Sequence, residues 1–134
     1  MRYLLDTHIL IWALASDEKL TPDVNILIND PDSEIYYSVA SVWEVEIKNR
    51  KQPERMPISG GRLIDYCDRS AMVSLPVTNR HVLTLGTLQR RESAPMHNDP
   101  FDRMILAQAK TEGMVLITHD SMFEAYQESC VMLV

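Results

Sequence analysis
The chain has 134 residues, 46% of them apolar and 24% charged, with a formal net charge of -6. That composition belongs to an ordinary globular protein, and the length suits one domain over residues 1–134 that buries roughly 65–70% of its unfolded surface. The acidic balance argues against a large basic nucleic-acid face. No apolar run nears the ~18 residues that span a bilayer, and Met1-Arg2-Tyr3-Leu4-Leu5-Asp6 is too short and acidic for a secretion signal, so a cytoplasmic protein with no membrane partner is expected.

Residues 2–6 predict a short buried strand. Residues 7–15, apolar at 9, 10, 12, 13 and 14, predict a helix buried around most of its girth. Thr21-Pro22-Asp23 is a helix start, with a capping hydroxyl, a proline in the first turn and an acid behind it. That helix runs to about Asn29, and Asp30-Pro31-Asp32 is a turn. A strand at 34–38 leads into a helix over 39–51. Residues 52–61, with Pro53, Pro57, Gly60 and Gly61, read as a loop. A helix over 62–70, a strand over 72–76 and a helix over 78–90 follow, the last with Val82, Leu83, Leu85 and Leu88 on its apolar side. After a polar connection at 91–98, residues 100–112 form a helix ended by Gly113. A strand at 114–118, a short helix at 121–127 and a strand at 131–134 complete the chain. Strands alternating with helices imply βαβ units and a parallel α/β sheet.

Four acids stand out in this frame: Asp6, Glu44, Asp102 and Asp120. Each is expected where a strand hands over to a helix, and in an open parallel sheet those handovers share the edge where ligands bind. Helix capping explains each acid singly, since Asp6 and Asp120 precede helices, Asp99-Pro100-Phe101-Asp102 is a good helix entry and Ser41-Val42-Trp43-Glu44 has capping-box spacing. Caps need not be acids, however, and serine, threonine or asparagine serve as well. Two carboxylates ~5 Å apart repel by about 3 kcal/mol at an effective dielectric near 20. With no buried Lys or Arg cluster in view, a divalent cation is the natural counterion, and hard oxygen ligands suit Mg2+ or Mn2+.

Thr7, Ser41 and Thr118 are placed to orient those acids. His8, His97 and His119 read as flanking or surface residues, Trp43 as core, and Arg103 either as a phosphate contact or as a partner of an acid. Cys67 and Cys130 stand in unrelated contexts and read as buried free thiols rather than a disulfide or zinc site. Outside the four acids the chain carries 13 basic against 15 acidic residues (19 minus 4), so the overall charge does not exclude nucleic acid.

The motifs Leu4-Leu5-Asp6-Thr7-His8, Ser38-Val39-Ala40-Ser41-Val42-Trp43-Glu44, His97-Asn98-Asp99-Pro100-Phe101-Asp102-Arg103 and Leu116-Ile117-Thr118-His119-Asp120 occur in order along the chain. Together they resemble the PIN-domain ribonucleases, and specifically toxins of the VapC type from type II toxin–antitoxin pairs. The resemblance implies a three-layer α/β/α PIN-like fold and a metal-dependent endoribonuclease using Mg2+ or Mn2+. It puts Asp6, Glu44, Asp102 and Asp120 on the family's acidic positions, with Asp99 a further candidate, and Thr118 on its polar position. It also implies a cognate antitoxin and a homodimer. Similar chains carry Gly-Lys-Leu after the Glu-bearing helix, where this one has residues 49–56 of different sequence.

On this reading Asp6 and Asp102 are direct metal ligands, Asp120 follows, and Glu44 binds metal or orients the attacking water. Arg50, Lys51, Arg55, Arg90, Arg91 and Arg103 are the basic residues placed to meet an RNA backbone, with a single-stranded substrate favoured. Two other classes compete. An aspartyl-phosphate enzyme expects a second Asp two residues beyond Asp6, where His8 stands. A non-catalytic PIN-like binding module is the remaining alternative, and the presence of all four acids argues against it.

Overall fold
Leu4 and Leu5 are neighbours and both fully buried, yet they belong to different apolar clusters. Successive strand side chains point to opposite faces, so the strand that carries them is covered on both. The computed structural model, which describes residues 1–134, shows this strand, β1 (Arg2–Leu5), at the centre of a five-stranded sheet. The others are β2 (Glu34–Ser38), β3 (Val73–Leu75), β4 (Val115–Thr118) and β5 (Val131–Leu133), in the order β3-β2-β1-β4-β5. Every pairing is parallel. Strands buried on both faces read as apolar runs rather than alternating ones, as Leu116-Ile117 and Leu4-Leu5 do.

One face is filled by Leu5, Ile35, Tyr37 and Ile117 against Ile9 and Leu10 of α1 (Thr7–Ala15), Val24 of α2 (Pro22–Asn29) and Leu63 and Cys67 of α4 (Gly60–Arg69). The other is filled by Leu4 and Leu116 against Ile105, Leu106 and Ala109 of α6 (Pro100–Glu112), with Phe123 and Tyr126. Helix α3 (Val39–Lys51) contributes Val45 to the first cluster and Ala40 to the second. The expected three-layer α/β/α fold is present.

Register decides what reaches the sheet edge. Leu5 pairs with Tyr37 on one side and Ile117 on the other. The next residues, Asp6, Ser38 and Thr118, therefore leave three adjacent strands at one level. The chain grows outward from β1 through β2 to β3, then returns to β4 on the far side of β1. That reversal opens a crevice at the carboxyl ends of β1 and β4, where open α/β sheets bind ligands.

Several elements differ from the sequence expectation. Gly60 and Gly61 do not lie in a loop; they open α4, which Ser59 caps by accepting from the Arg62 amide at 3.2 Å. Gly60 is there because α3 passes close by: a Cβ would meet Val42 and Glu46 at 3.3 Å. The helix expected over 78–90 is shorter, α5 (Asn79–Thr84) plus a 3-10 turn to Thr87, and Val82 and Leu83 are exposed. Thr21 occupies the cap position of α2 without making a side-chain capping bond. Of the residues in α1 only Thr7, Ile9 and Leu10 are fully buried, so the helix is less enclosed than its sequence suggests. No helix is long and apolar enough to cross a membrane.

Gly113 ends α6 at φ +66, a left-handed conformation that costs an L side chain about 1–2 kcal/mol. Gly113→Val is therefore expected to lower unfolding free energy by that amount in urea titration, with an unchanged m-value. Unaltered stability would contradict the assignment of the turn.

Candidate metal centre
Asp6 is 3% exposed, directly after β1. Its backbone N–H extends the sheet ladder to the carbonyl of Ile117 at 3.1 Å. Its Oδ1 accepts from the Ile9 amide at 2.9 Å, capping α1, and its Oδ2 accepts from the hydroxyl of Thr118 across the crevice. Thr118 in turn accepts from the Asp120 amide at 3.1 Å. Burial raises the pKa of Asp6, the Thr118 and Ile9 hydrogen bonds oppose the rise, and Asp120 adds to it.

Glu44 arrives from α3. The capping-box reading of Ser41 and Glu44 does not hold, because Ser38 caps this helix by accepting from the Ala40 amide at 2.9 Å. Ser41 and Glu44 instead lie inside α3 on its buried side. Thr7 donates to Glu44 Oε1 at 2.7 Å and stands 2.9 Å from Ser41 Oγ. A hydroxyl has one proton, so Ser41 is the donor of the second bond. Lys48, one turn on, reaches Glu44 Oε2 at 2.6 Å. The sequence shows no buried Lys or Arg cluster to neutralise the acids, yet helical i,i+4 spacing supplies a single lysine here.

Asp102 lies inside α6, which follows a loop rather than a strand. Only Asp6 and Asp120 sit at true strand exits, so convergence at this site comes from helix packing as well as sheet topology. Asp99 caps α6 by accepting from the Phe101 and Asp102 amides through one oxygen. The pKa of Asp102 is pushed up to about 8, first by burial and then by Asp99, Glu44, Asp120 and Asp6. All four other carboxylates therefore act on one carboxyl group.

His97, expected on the flank or surface, is buried. Its Nε2 lies 3.2 Å from Asp102 Oδ2 and its Nδ1 2.8 Å from the Tyr126 hydroxyl. Burial lowers its pKa, so at neutral pH it is the uncharged imidazole. Ligand atoms of His97, Asp102 and Asp120 all fall within 4.8 Å of one another. Carboxylate oxygens with one imidazole form a donor set for a divalent ion, Mn2+ more readily than with oxygen alone. The arrangement fits a cation: it gathers negative charge that Lys48 meets only at Glu44. Asp120 Oδ1 accepts from the Met122 amide at 2.9 Å, which leaves its second oxygen for a ligand.

The remaining residues divide clearly. Trp43 is not core; it is 63% exposed, and its ring meets Phe101 edge-on at 5.1 Å. Arg50, Lys51 and Arg55 are exposed at the end of α3 and just beyond it, and Arg50 pairs with Glu46 at 3.7 Å. Arg90, Arg91 and Arg103 gather beside His97. His8 and His119 flank Trp12. Cys67 is buried, its thiol pushed up to about 12 by burial, and Cys130 is half-buried. Sequence reasoning missed Gln108, which is fully buried on α6. Its Oε1 accepts from Ser38, and its Nε2 donates to the Pro76 carbonyl at 3.3 Å. It thereby ties α6 to the start of α3 and the end of β3. A polar residue amid Ile105-Leu106-Ala107 and Ala109 was the available signal.

A model of the PIN domain family matches residues 3–129. No curated protein sequence matches the chain. Among solved structures, the VapBC2 complex of Rickettsia felis bound to a DNA fragment from its promoter is similar over 100% of this chain and 98% of that one, with 18% identity and a TM-score of 0.67. VapBC-1 of nontypeable Haemophilus influenzae is similar over 93% and 92%, with 19% identity and a TM-score of 0.62. VapBC-5 of Mycobacterium tuberculosis, a member of a family of toxin–antitoxin systems, is similar over 99% and 97%, with 21% identity and a TM-score of 0.57. At these identities the likeness is one of fold.

The raised pKa of Asp102 carries a stability consequence. Between its ordinary value of 3.8 and its folded value of about 8, the folded state keeps a proton that the unfolded state has released. Unfolding free energy therefore falls as pH rises through that interval. Thermal unfolding in EDTA is expected to show a higher Tm near the lower end than the upper, with the slope reduced in Asp102→Asn. An equal slope in the variant would contradict the assignment.

Proposed function
This chain belongs to the PIN domain family, and from that premise we propose that it is a divalent-metal-dependent endoribonuclease, the toxin of a VapBC-type toxin–antitoxin pair. The observation that best supports this is Asp102, whose carboxyl pKa is raised first by burial and then by Asp99, Glu44, Asp120 and Asp6 gathered around it. Such a group is poised to exchange its proton for a cation. Asp6, Asp102 and Asp120 would hold the ion, with His97 beside them and Asp99 as a further candidate.

Bound there, Mg2+ or Mn2+ supplies Lewis-acid polarisation of a phosphodiester and activation of water. The chain's own groups set the conditions for it. Thr118 fixes one oxygen of Asp6, and the Ile9 amide fixes the other. Thr7 holds Glu44 Oε1 and Lys48 holds Oε2, which fixes the orientation of the carboxylate that would orient an attacking water. Tyr126 and Asp102 fix the His97 ring from both sides. An exposed single-stranded backbone approaches an acidic crevice more readily than a duplex does, so single-stranded or looped RNA is the substrate class we assign.

Likeness of fold to VapBC complexes supports the antitoxin assignment. VapBC complexes share this fold across nearly the whole chain, and one is described as a toxin–antitoxin system. We assign this chain a cognate antitoxin, a homodimeric state, a cytoplasmic setting and a single domain over residues 1–134.

Asp6→Asn is expected to retain the native circular dichroism spectrum while cleavage of a mixed RNA pool in Mn2+ falls by more than ~100-fold, beyond the ~10–100-fold typical of residues that only orient ligands. EDTA should silence the wild type equally. Wild-type cleavage by the variant would overturn the site, and no cleavage by the wild type under any divalent ion would favour the non-catalytic binding module.

A further inference from the structure
Arg90, Arg91 and Arg103 line one open cavity of about 530 Å³ together with His97, Tyr126 and Leu88. We propose that this cavity holds a backbone phosphate of the RNA strand, gripped by Arg91 and Arg103, adjoining the phosphodiester at the acidic centre. The inference rests on the nuclease reading above and gives that site its second anchoring point.

The three arginines are not equivalent. Arg90 is already engaged: its terminal nitrogens donate to the carbonyls of Pro95 and Met122, the latter at 3.1 Å, and its guanidinium lies 5.2 Å from the Tyr126 ring centroid. Its Nε is buried with no partner. Arg90 therefore contributes wall and charge and holds the loop in place. Arg91 is rooted by its backbone N–H, which donates a hydrogen bond to the Ala125 carbonyl at 2.9 Å, but its side chain is exposed. Arg103 follows Asp102 in the first turns of α6 and lies beside the Tyr126 hydroxyl.

Arg103 is the telling case. It adjoins a cluster of acids, and a basic residue placed to neutralise them would form an ion pair there, as Lys48 does with Glu44. Neither Arg103 nor Arg91 has a carboxylate within 4.0 Å. In a chain of net charge -6, three guanidinium groups share a cavity and none is paired with a carboxylate, so an anion between them is favoured. Arginine's planar fork matches two oxygens of a phosphate. A merely solvated basic surface would spread its guanidinium groups into water; these face one concavity with an aromatic wall. Because His97 lines that concavity and also lies against Asp102, an anion held there adjoins one held at the acids, and the two belong to a single extended ligand, which a polynucleotide backbone is.

The test is fluorescence anisotropy in EDTA, where no cleavage competes, with a labelled, unstructured RNA oligonucleotide over a salt series. Arg91→Gln and Arg103→Gln are each expected to weaken binding and to reduce the slope of log K against log salt by about 0.7, the loss of one single-strand phosphate contact. Mn2+ affinity should stay at the wild-type value in both. Unchanged affinity and slope in both variants, while the wild type still cleaves RNA, would overturn this inference alone. Inorganic phosphate binding the wild type as tightly as the oligonucleotide would overturn it too, by marking a free-anion site. A wild type that binds Mn2+ yet neither binds nor cleaves RNA would remove the nuclease reading and this inference together.

Discussion
A carboxylate with 3% exposure at the centre of a parallel sheet is tolerable only when its oxygens are met. Asp6 meets that requirement through one strand and one helix beside it: Thr118 from β4 serves one oxygen, and the Ile9 amide of α1 serves the other. Those bonds satisfy the lone pairs without supplying charge. The rest of the site is built around the resulting deficit. Asp120 is tethered to Thr118 through its own amide, and Asp102 approaches from α6 with its pKa driven to about 8. Sheet topology thus places a charge that the protein's own hydrogen bonds hold but do not neutralise.

Capping and metal binding looked like competing explanations of these acids, and the geometry removes the competition. A carboxylate has two oxygens. Asp6, Asp99 and Asp120 each commit one to the first amides of a helix or turn. Capping fixes the orientation of the group, which is what a pre-organised ligand requires. Glu44 is held differently, by Thr7 and Lys48, and so its charge is the one the protein does balance. The acids consequently differ in role even though they cluster.

Much of the frame was legible because it rests on local rules. The strands of consecutive apolar residues, the Asp99-Pro100 entry to α6 and the Gly113 exit all appear where local chemistry places them. What escaped was decided by packing between distant segments. Gly60-Gly61 reads as a breaker until the closeness of α3 is known. Trp43 reads as core until α3 is seen to turn it outward against Phe101. His97 sits in a polar stretch, and nothing near it in sequence announces that Tyr126, 29 residues on, will bury and hold it. Lys48 was visible at i,i+4 from Glu44 but gained meaning only once Glu44 was placed inside the helix rather than at its start.

The claim on which everything else depends is that these acids, converging from four parts of the chain, form one cation site. Calorimetric titration of Mn2+ into the purified protein and into Asp102→Asn tests it without reference to any substrate. The account predicts saturable binding in the wild type that disappears in the variant. Binding of equal affinity in both, or none in the wild type, would return the carboxylates to the role of helix caps.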